Sequence, residues 1–389
     1  MITDTIGRRQ LALLVFFIPI VFKISMLPSL LAGAAGNDAL FAAGFLILFE
    51  AAHLAIIVAT LHFGGVKAIR DRWGNIPALL ISLPLMSVFI LKAAVFGMEI
   101  VNYVTLFLFY NTVNFAVTVV LILVFFYVAI GGPRTFGRLC ELSLLFLPFI
   151  VFLGALFGKL DLHFEYVLPF FSKGAQPVFS AIDGHLFWAF DFSPLIFFNL
   201  SQSTEQKKKK LPVILMGMTV AILMVVGFFV LFIANYGNAA SIVDNAFARL
   251  AAFNVVSTQI GSIEWPSVVM WLMSAILCVA IKCYAGGKTL EYARIPPKVG
   301  IGIVTAIVGA LMLFLLDGVN DSIELAKSVL RYVTLGLELG ITLLVFGILV
   351  AFRIIDRMKG KSGEPKVNGG EPEEPAENAE VPQAEGVDA

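Results

Sequence analysis

Residues 11–31 read LALLVFFIPIVFKISMLPSLL, an apolar run long enough to cross a bilayer, for which about twenty residues suffice. One charge interrupts it. Lys23 stands in the middle, and an ammonium group facing lipid costs at least about 2.5 kcal/mol on insertion scales. The side chain is therefore predicted to face the bundle interior, a partner or a ligand. Pro28 follows five residues later. Proline lacks a backbone donor and clashes with the preceding turn, so the helix is expected to kink or open near Phe22 to Leu27, beside the charge. Transporters form binding sites from a broken helix of this kind.

Composition places the whole chain in the same class. The sequence is 59% hydrophobic and 14% charged, with 36 Phe in 389 residues, whereas soluble domains carry about 25% charged residues. The chain is predicted to be an all-α, polytopic protein of the lipid bilayer. Apolar runs fall at residues 11–32, 39–61, 76–101, 108–130, 141–158, 178–200, 211–234, 266–285, 300–316 and 331–352. Ten spans follow, with the third able to extend from Ile76 to Phe109 if tilted. With the N-terminus inside, one side collects Arg8, Arg9, Lys67, Arg70, Arg72, Arg134, Arg138, the run Lys207 to Lys210, Lys288, Arg294, Lys298 and the basic residues from Arg353 to Lys361. The other side holds Lys159, Lys173, Arg249 and Lys327. By the positive-inside rule both termini are cytoplasmic.

Residues 1–361 are thus expected to form one ten-span permease-like domain. Residues 362–389, rich in Gly, Pro, Glu and Ala, are expected to be a disordered acidic cytoplasmic tail that cannot bury a core. The hydrophobic N-terminal stretch lacks a small-residue cleavage site and is expected to remain in the mature chain. Two longer outside loops, Asp161 to Pro177 and Tyr236 to Ile263, could cover an outward vestibule, the second through a helical stretch near Asp244 to Phe253.

Motifs of chemistry are scarce. Gly286-Gly-Lys-Thr289 resembles the end of a phosphate-binding loop, but the position five before Gly287 is Lys282 rather than Gly, so the match is fortuitous. Cys140, Cys278 and Cys283 have neither disulfide nor metal spacing and read as packing residues. No catalytic residue, metal, cofactor or nucleic-acid partner is expected. Gly336 and Gly340 form a G-x-x-x-G in the last span, suited to close packing of helices.

Ionisable groups inside the spans remain. Glu50 and His53 lie on one face of the second span, and Lys92 and Glu99 on one face of the third. Asp191 stands before Ser193 and Pro194 in the sixth span, so the first and sixth spans share Pro-containing irregular middles with charges of opposite sign. In two inverted repeats of five helices those spans are equivalent and their breaks meet at the midplane. Lys23 and Asp191 are read as site residues, with Glu50 and His53 as candidates for a buried coupling charge. Lys92, Glu99 and Glu338 are read as structural ion pairs or groups reaching to interfacial water.

The chain resembles the spore germination permease family, the B-subunits of Ger-type germinant receptors, within the amino acid/polyamine/organocation transporter superfamily. The likeness lies in Arg9-Gln10, Leu27-Pro28, Asn37-Asp38, Glu50, Gly131-Gly-Pro-Arg-Thr-Phe-Gly-Arg138 with Glu141, Leu168-Pro-Phe-Phe-Ser-Lys-Gly174 and Gln176-Pro177. It implies a five-plus-five inverted fold and an amino acid or similar small solute held by the opened first and sixth helices. It also implies the inner spore membrane and a receptor complex with a larger membrane subunit and a lipoprotein subunit. Where the superfamily has small residues at the first break, this chain has Val21-Phe-Lys-Ile-Ser-Met26. Lys23 is therefore expected either to replace a bound cation or protonated group or to bind the ligand carboxylate. Ser25 and the backbone at Ile24 would add polar contacts, facing Asp191, Phe192 and Ser193, with Asp191 either balancing Lys23 or taking a ligand amine. A receptor subunit, an alternating-access transporter and a structural subunit without ligand all remain open.

Overall fold

The computed structural model describes residues 7–108, 113–157, 162–172, 174–198, 211–253, 264–315 and 319–361. Every regular element among the described residues is helical. The Lys207 to Lys210 run, Lys159, Lys173 and the acidic tail from residue 362 lie outside them. Met1–Val350 form one compact unit and Ala351–Ala389 a second.

Helix α1 (Arg8–Ile20) is apolar on all sides from Leu11 onward and buried on all sides, as a central helix must be. It ends three residues before Lys23. The chain then turns through residues 21–26 and resumes as α2 (Leu27–Ala35), with Pro28 in its first turn. There a missing N–H has no helical acceptor to lose. The proline thus begins a second half-helix instead of kinking one continuous helix. Gly36, at φ 61°, ends α2, and α3 (Ala39–His62) carries Glu50 and His53. After the short amphipathic α4 (Gly65–Trp73), α5 (Asn75–Tyr103) runs on as a π-helical turn to Leu108, matching the long third span.

Helix α6 (Asn114–Phe157) joins the predicted fourth and fifth spans through helical backbone, broken at Gly132 with φ 66° and ψ −164°. Only glycine adopts this conformation without steric cost. The sixth region is not one helix. It consists of α7 (Gln176–Gly184), a 3-10 turn at Leu186–Trp188, an irregular stretch, and a 3-10 turn at Ser193–Phe197 with Pro194 in its first positions. The remaining elements are α8 (Leu211–Tyr236), α9 (Ala246–Phe253), α10 (Glu264–Glu291), α11 (Pro297–Phe314), α12 (Val319–Lys327), α13 (Val329–Thr334), a π-helical turn at Leu335–Leu339 and α14 (Gly340–Lys361).

Among the described residues, seven helical stretches are long and apolar enough to cross a membrane. They coincide with the second, third, fourth, seventh, eighth, ninth and tenth predicted spans. The first and sixth differ because each is divided into short pieces, and the fifth is the far half of α6. Helix α10 is the most enclosed of the seven, packed by α5, α6 and α11, while α1 is clasped by α8 and α6. Large apolar side chains such as Leu215, Leu223, Leu343 and Leu344 point outward, as a lipid-facing surface requires.

The expected close packing at Gly336 and Gly340 is not found. Among the described residues a Cβ at either would meet nothing within 4 Å, because Thr334, Glu338 and Thr342 form the inward face and the two glycines point away. The tight contact lies elsewhere. A Cβ on Gly287 of α10 would come within 2.7 Å of Ile301 Cα on α11, and one on Gly300 within 2.8 Å of the Gly287 carbonyl oxygen. Gly287→Ala should destabilise the fold by about 1–3 kcal/mol through overpacking. Gly340→Ala should stay within about 0.5 kcal/mol of the parent. Thermal unfolding of both variants in detergent checks this, and equal midpoints would show that the α10–α11 approach is no tighter than the surroundings of Gly340.

Candidate functional site

The break in the first region and the irregular middle of the sixth meet in a cluster of six buried charges. Lys23 Nζ lies 3.1 Å from Glu50 Oε1 and 3.4 Å from Asp191 Oδ2. Asp191 Oδ1 takes two further lysines, Lys92 at 3.4 Å and Lys282 at 3.3 Å. Lys92 also lies 2.7 Å from Glu338 Oε2 and donates to the carbonyl of Ala189 at 2.6 Å. None of the six is more than 3% exposed. Three lysines face three carboxylic residues, so with all six ionised the cluster sums to zero. Balance is the condition for burying it, since one unpaired ion in a low-dielectric interior costs several kcal/mol.

Each member has a structural reason for its position. Glu50, one turn from His53 on α3, receives the backbone N–H of Asp191 on both carboxylate oxygens, at 2.8 and 3.1 Å. This pins the sixth region where no helix can satisfy its own amides. Lys92 and Lys282 come from the continuous helices α5 and α10. Aromatic rings wall them in, with Lys282 Nζ 4.9 Å from the Phe96 ring centre and Lys92 Nζ 5.7 Å from that of Phe187. Phe96 stacks in turn on Phe22, at 3.9 Å between centres.

The other expected site residues have different neighbours. The Ser25 hydroxyl donates to Glu99 Oε1 rather than joining Lys23. Ser193 donates to the Phe190 carbonyl at 3.1 Å and lies 3.5 Å from His53 Nε2, which is 3.4 Å from Thr342 Oγ1. The amides of Lys23 and Ile24 both donate to the Ile20 carbonyl, at 3.0 and 3.1 Å. Ile24 therefore offers no free N–H. The Phe192 carbonyl accepts from Leu195 N–H at 2.9 Å. Carbonyl groups of the first break are also taken: Val21 by the Trp271 indole at 3.1 Å, and Ser25 by the Ala246 N–H at 2.8 Å. Through that last bond, α9 starts directly on the first break.

On sequence grounds Lys92 and Glu338 stand apart from the Lys23 site, and the structure joins them to it. It also brings in Lys282, considered in the sequence only as a mismatch to a phosphate-binding loop. The signal was present. Lys282 is a single ammonium inside the apolar 266–285 run, as Lys23 is inside 11–31. Glu99 is buried as expected, but its partner is a serine hydroxyl and not the lysine seven residues before it.

The family match now decides the lineage. The family model described as spore germination protein covers residues 5–321, most of the chain. The chain belongs to the spore germination protein family. A comparison with curated proteins gives no match. Family membership and the apolar helices together make this a multi-pass, permease-like membrane protein.

Within this family member, Asp191 is the carboxylate on which the cluster depends. Asp191→Asn leaves Lys282 with no carboxylate within 4.0 Å among the described residues and should cost about 3–5 kcal/mol, as breaking a buried ion pair does. Adding Lys282→Met should recover most of that loss. Unfolding of the two single variants and the double, followed by near-UV circular dichroism, reads the effect. A double variant as unstable as the sum of the singles would show that Lys282 and Asp191 do not interact.

Proposed function

We propose that this protein is a permease-like germinant receptor subunit that binds an amino acid or similar small solute where its first and sixth regions break. One observation carries the reading: Lys23, in the first break, and Asp191, in the irregular sixth region, form an ion pair of 3.4 Å between charges that a membrane interior otherwise excludes. Two broken regions contributing opposite charges to one place are what a solute with both a carboxylate and an amine requires.

The reading extends to ten crossing regions in two inverted halves, with both termini cytoplasmic. Support comes from the location of the breaks in the first and sixth regions, which are equivalent in such an arrangement. The family resemblance adds a larger membrane subunit and a lipoprotein as partners, in the inner spore membrane. An engineered cysteine at residue 208 or 370 should react with an impermeant reagent only after cells are permeabilised. Labelling of either in intact cells would overturn the proposed topology.

A second reading, a structural subunit without ligand, is favoured by the engagement of the Ser25 hydroxyl and the Val21 and Ser25 carbonyls by protein groups. Purified protein in liposomes, offered each of the twenty radiolabelled amino acids, separates the readings. The receptor reading predicts saturable binding of at least one amino acid without accumulation in the vesicles. Accumulation above protein-free vesicles would make the protein a transporter. Folded protein that neither binds nor accumulates any would leave the structural role and withdraw the proposal.

A further inference from the structure

Among the three buried lysines, Lys282 differs in its dependence. Lys23 has Glu50 beside it and Lys92 has Glu338, whereas Asp191 is the only carboxylate within 4.0 Å of Lys282 among the described residues. Withdrawing Asp191 would therefore leave one net positive charge, centred on Lys282. That is a vacancy for a single carboxylate.

Asp191 is also the member of the pair that can withdraw. Lys282 projects from a continuous helix of 28 residues. Asp191 sits on irregular backbone between two 3-10 turns, directly after Phe190, whose φ of 67° is the left-handed region that a bulky L-residue rarely occupies. Such conformations persist where surrounding contacts hold them and recur in segments that switch. Here the holding contacts are the Glu50 carboxylate and the three ammonium groups.

We propose that Lys282 is the carboxylate subsite of the solute site, that Asp191 stands in it as a resident substitute, and that the site selects zwitterions. The proposal rests on the solute-binding reading above and adds the residue and the charge rule to it. The rule comes from the balance of the cluster. A zwitterion inserted between Lys282 and Asp191 pairs its carboxylate with the lysine and its ammonium with the aspartate. Every buried charge keeps an opposite partner, and the sum stays at zero. A carboxylic acid anion would bring the sum to −1 and an alkylamine cation to +1, each leaving one ion uncompensated in a low-dielectric site. Glu338 adds a spare acceptor, because its Oε1 is fully buried with no hydrogen-bond partner among the described residues. An ammonium with three N–H donors needs acceptors beyond a single aspartate.

The test uses the full-length protein purified in detergent. The amino acid that binds most tightly is titrated calorimetrically against the parent, Lys282→Met, Lys282→Arg and the charge-balanced double variant Lys282→Met/Asp191→Asn. The same side chain is also offered as the acid lacking the amine and as the amine lacking the carboxylate. Lys282→Met and the double variant should bind at least about 30-fold more weakly. Lys282→Arg, which keeps a carboxylate-binding cation, should bind more tightly than Lys282→Met. Both truncated solutes should bind the parent at least about 30-fold more weakly than the amino acid, the order expected for losing a charged hydrogen-bonding pair. The double variant guards against a fold lost through imbalance, since its cluster still sums to zero. Parent-like affinity in folded Lys282→Met or in the double variant would overturn the subsite and leave the solute-binding reading standing. Equal affinity for the truncated acid or amine would overturn the charge rule. A folded parent that binds no amino acid would remove both the reading and the inference.

Discussion

Six ionisable side chains, three lysines paired with three carboxylic residues, hold the centre of this protein. In water such a cluster would contribute little, but here it is walled by Phe22, Phe96 and Phe187 and by helices that face lipid on their outer sides. Burial raises the strength of each pairing and the cost of any missing partner together. The constraint is strict. Neither broken region can leave the cluster without exposing an ion to apolar surroundings, so the first and sixth regions are tied to each other and to α3, α5 and α10 by charge as well as by packing.

The same constraint explains why the polypeptide can be irregular where a membrane protein normally is not. Backbone that leaves the helix inside a bilayer must find partners for its amide and carbonyl groups. At the first break the indole of Trp271 and the N–H of Ala246 donate to the opened carbonyls, and at the sixth the Glu50 carboxylate receives the Asp191 N–H. The helices that provide these groups are far away in sequence. Broken backbone and buried charge are therefore a single structural solution, in which the Glu50 carboxylate that satisfies the opened sixth region also pairs with Lys23 of the first.

Much of this was legible in the sequence. Lys23 with Pro28 announced the first break and Asp191 with Pro194 the second, because a lone charge and a proline in apolar runs are both costly enough to demand a reason. Glu50 and His53 were placed on the inner face by helical spacing alone. Residues whose partners lie on distant helices were harder to assign. Periodicity puts Lys92 and Glu99 on one face of α5, yet one turns to Asp191 and the other to Ser25, a choice set by the neighbouring helices. Lys282 carried the same signal as Lys23 and was obscured by a fortuitous glycine-lysine motif. Gly336 and Gly340 had the spacing of a packing motif, but Thr334, Glu338 and Thr342 took the inward face because a glutamate in this environment must be turned toward a cation.

If the two breaks are bound together through their charges, a double-mutant cycle between Lys23→Met and Asp191→Asn reads that bond without intermediaries. Stability of the parent, the two single variants and the double is followed by thermal and chemical unfolding in one detergent. Coupling of at least about 1 kcal/mol is predicted, as for residues in one ion-pair network. Effects that add within about 0.5 kcal/mol, the behaviour of independent sites, would contradict a charge link between the breaks.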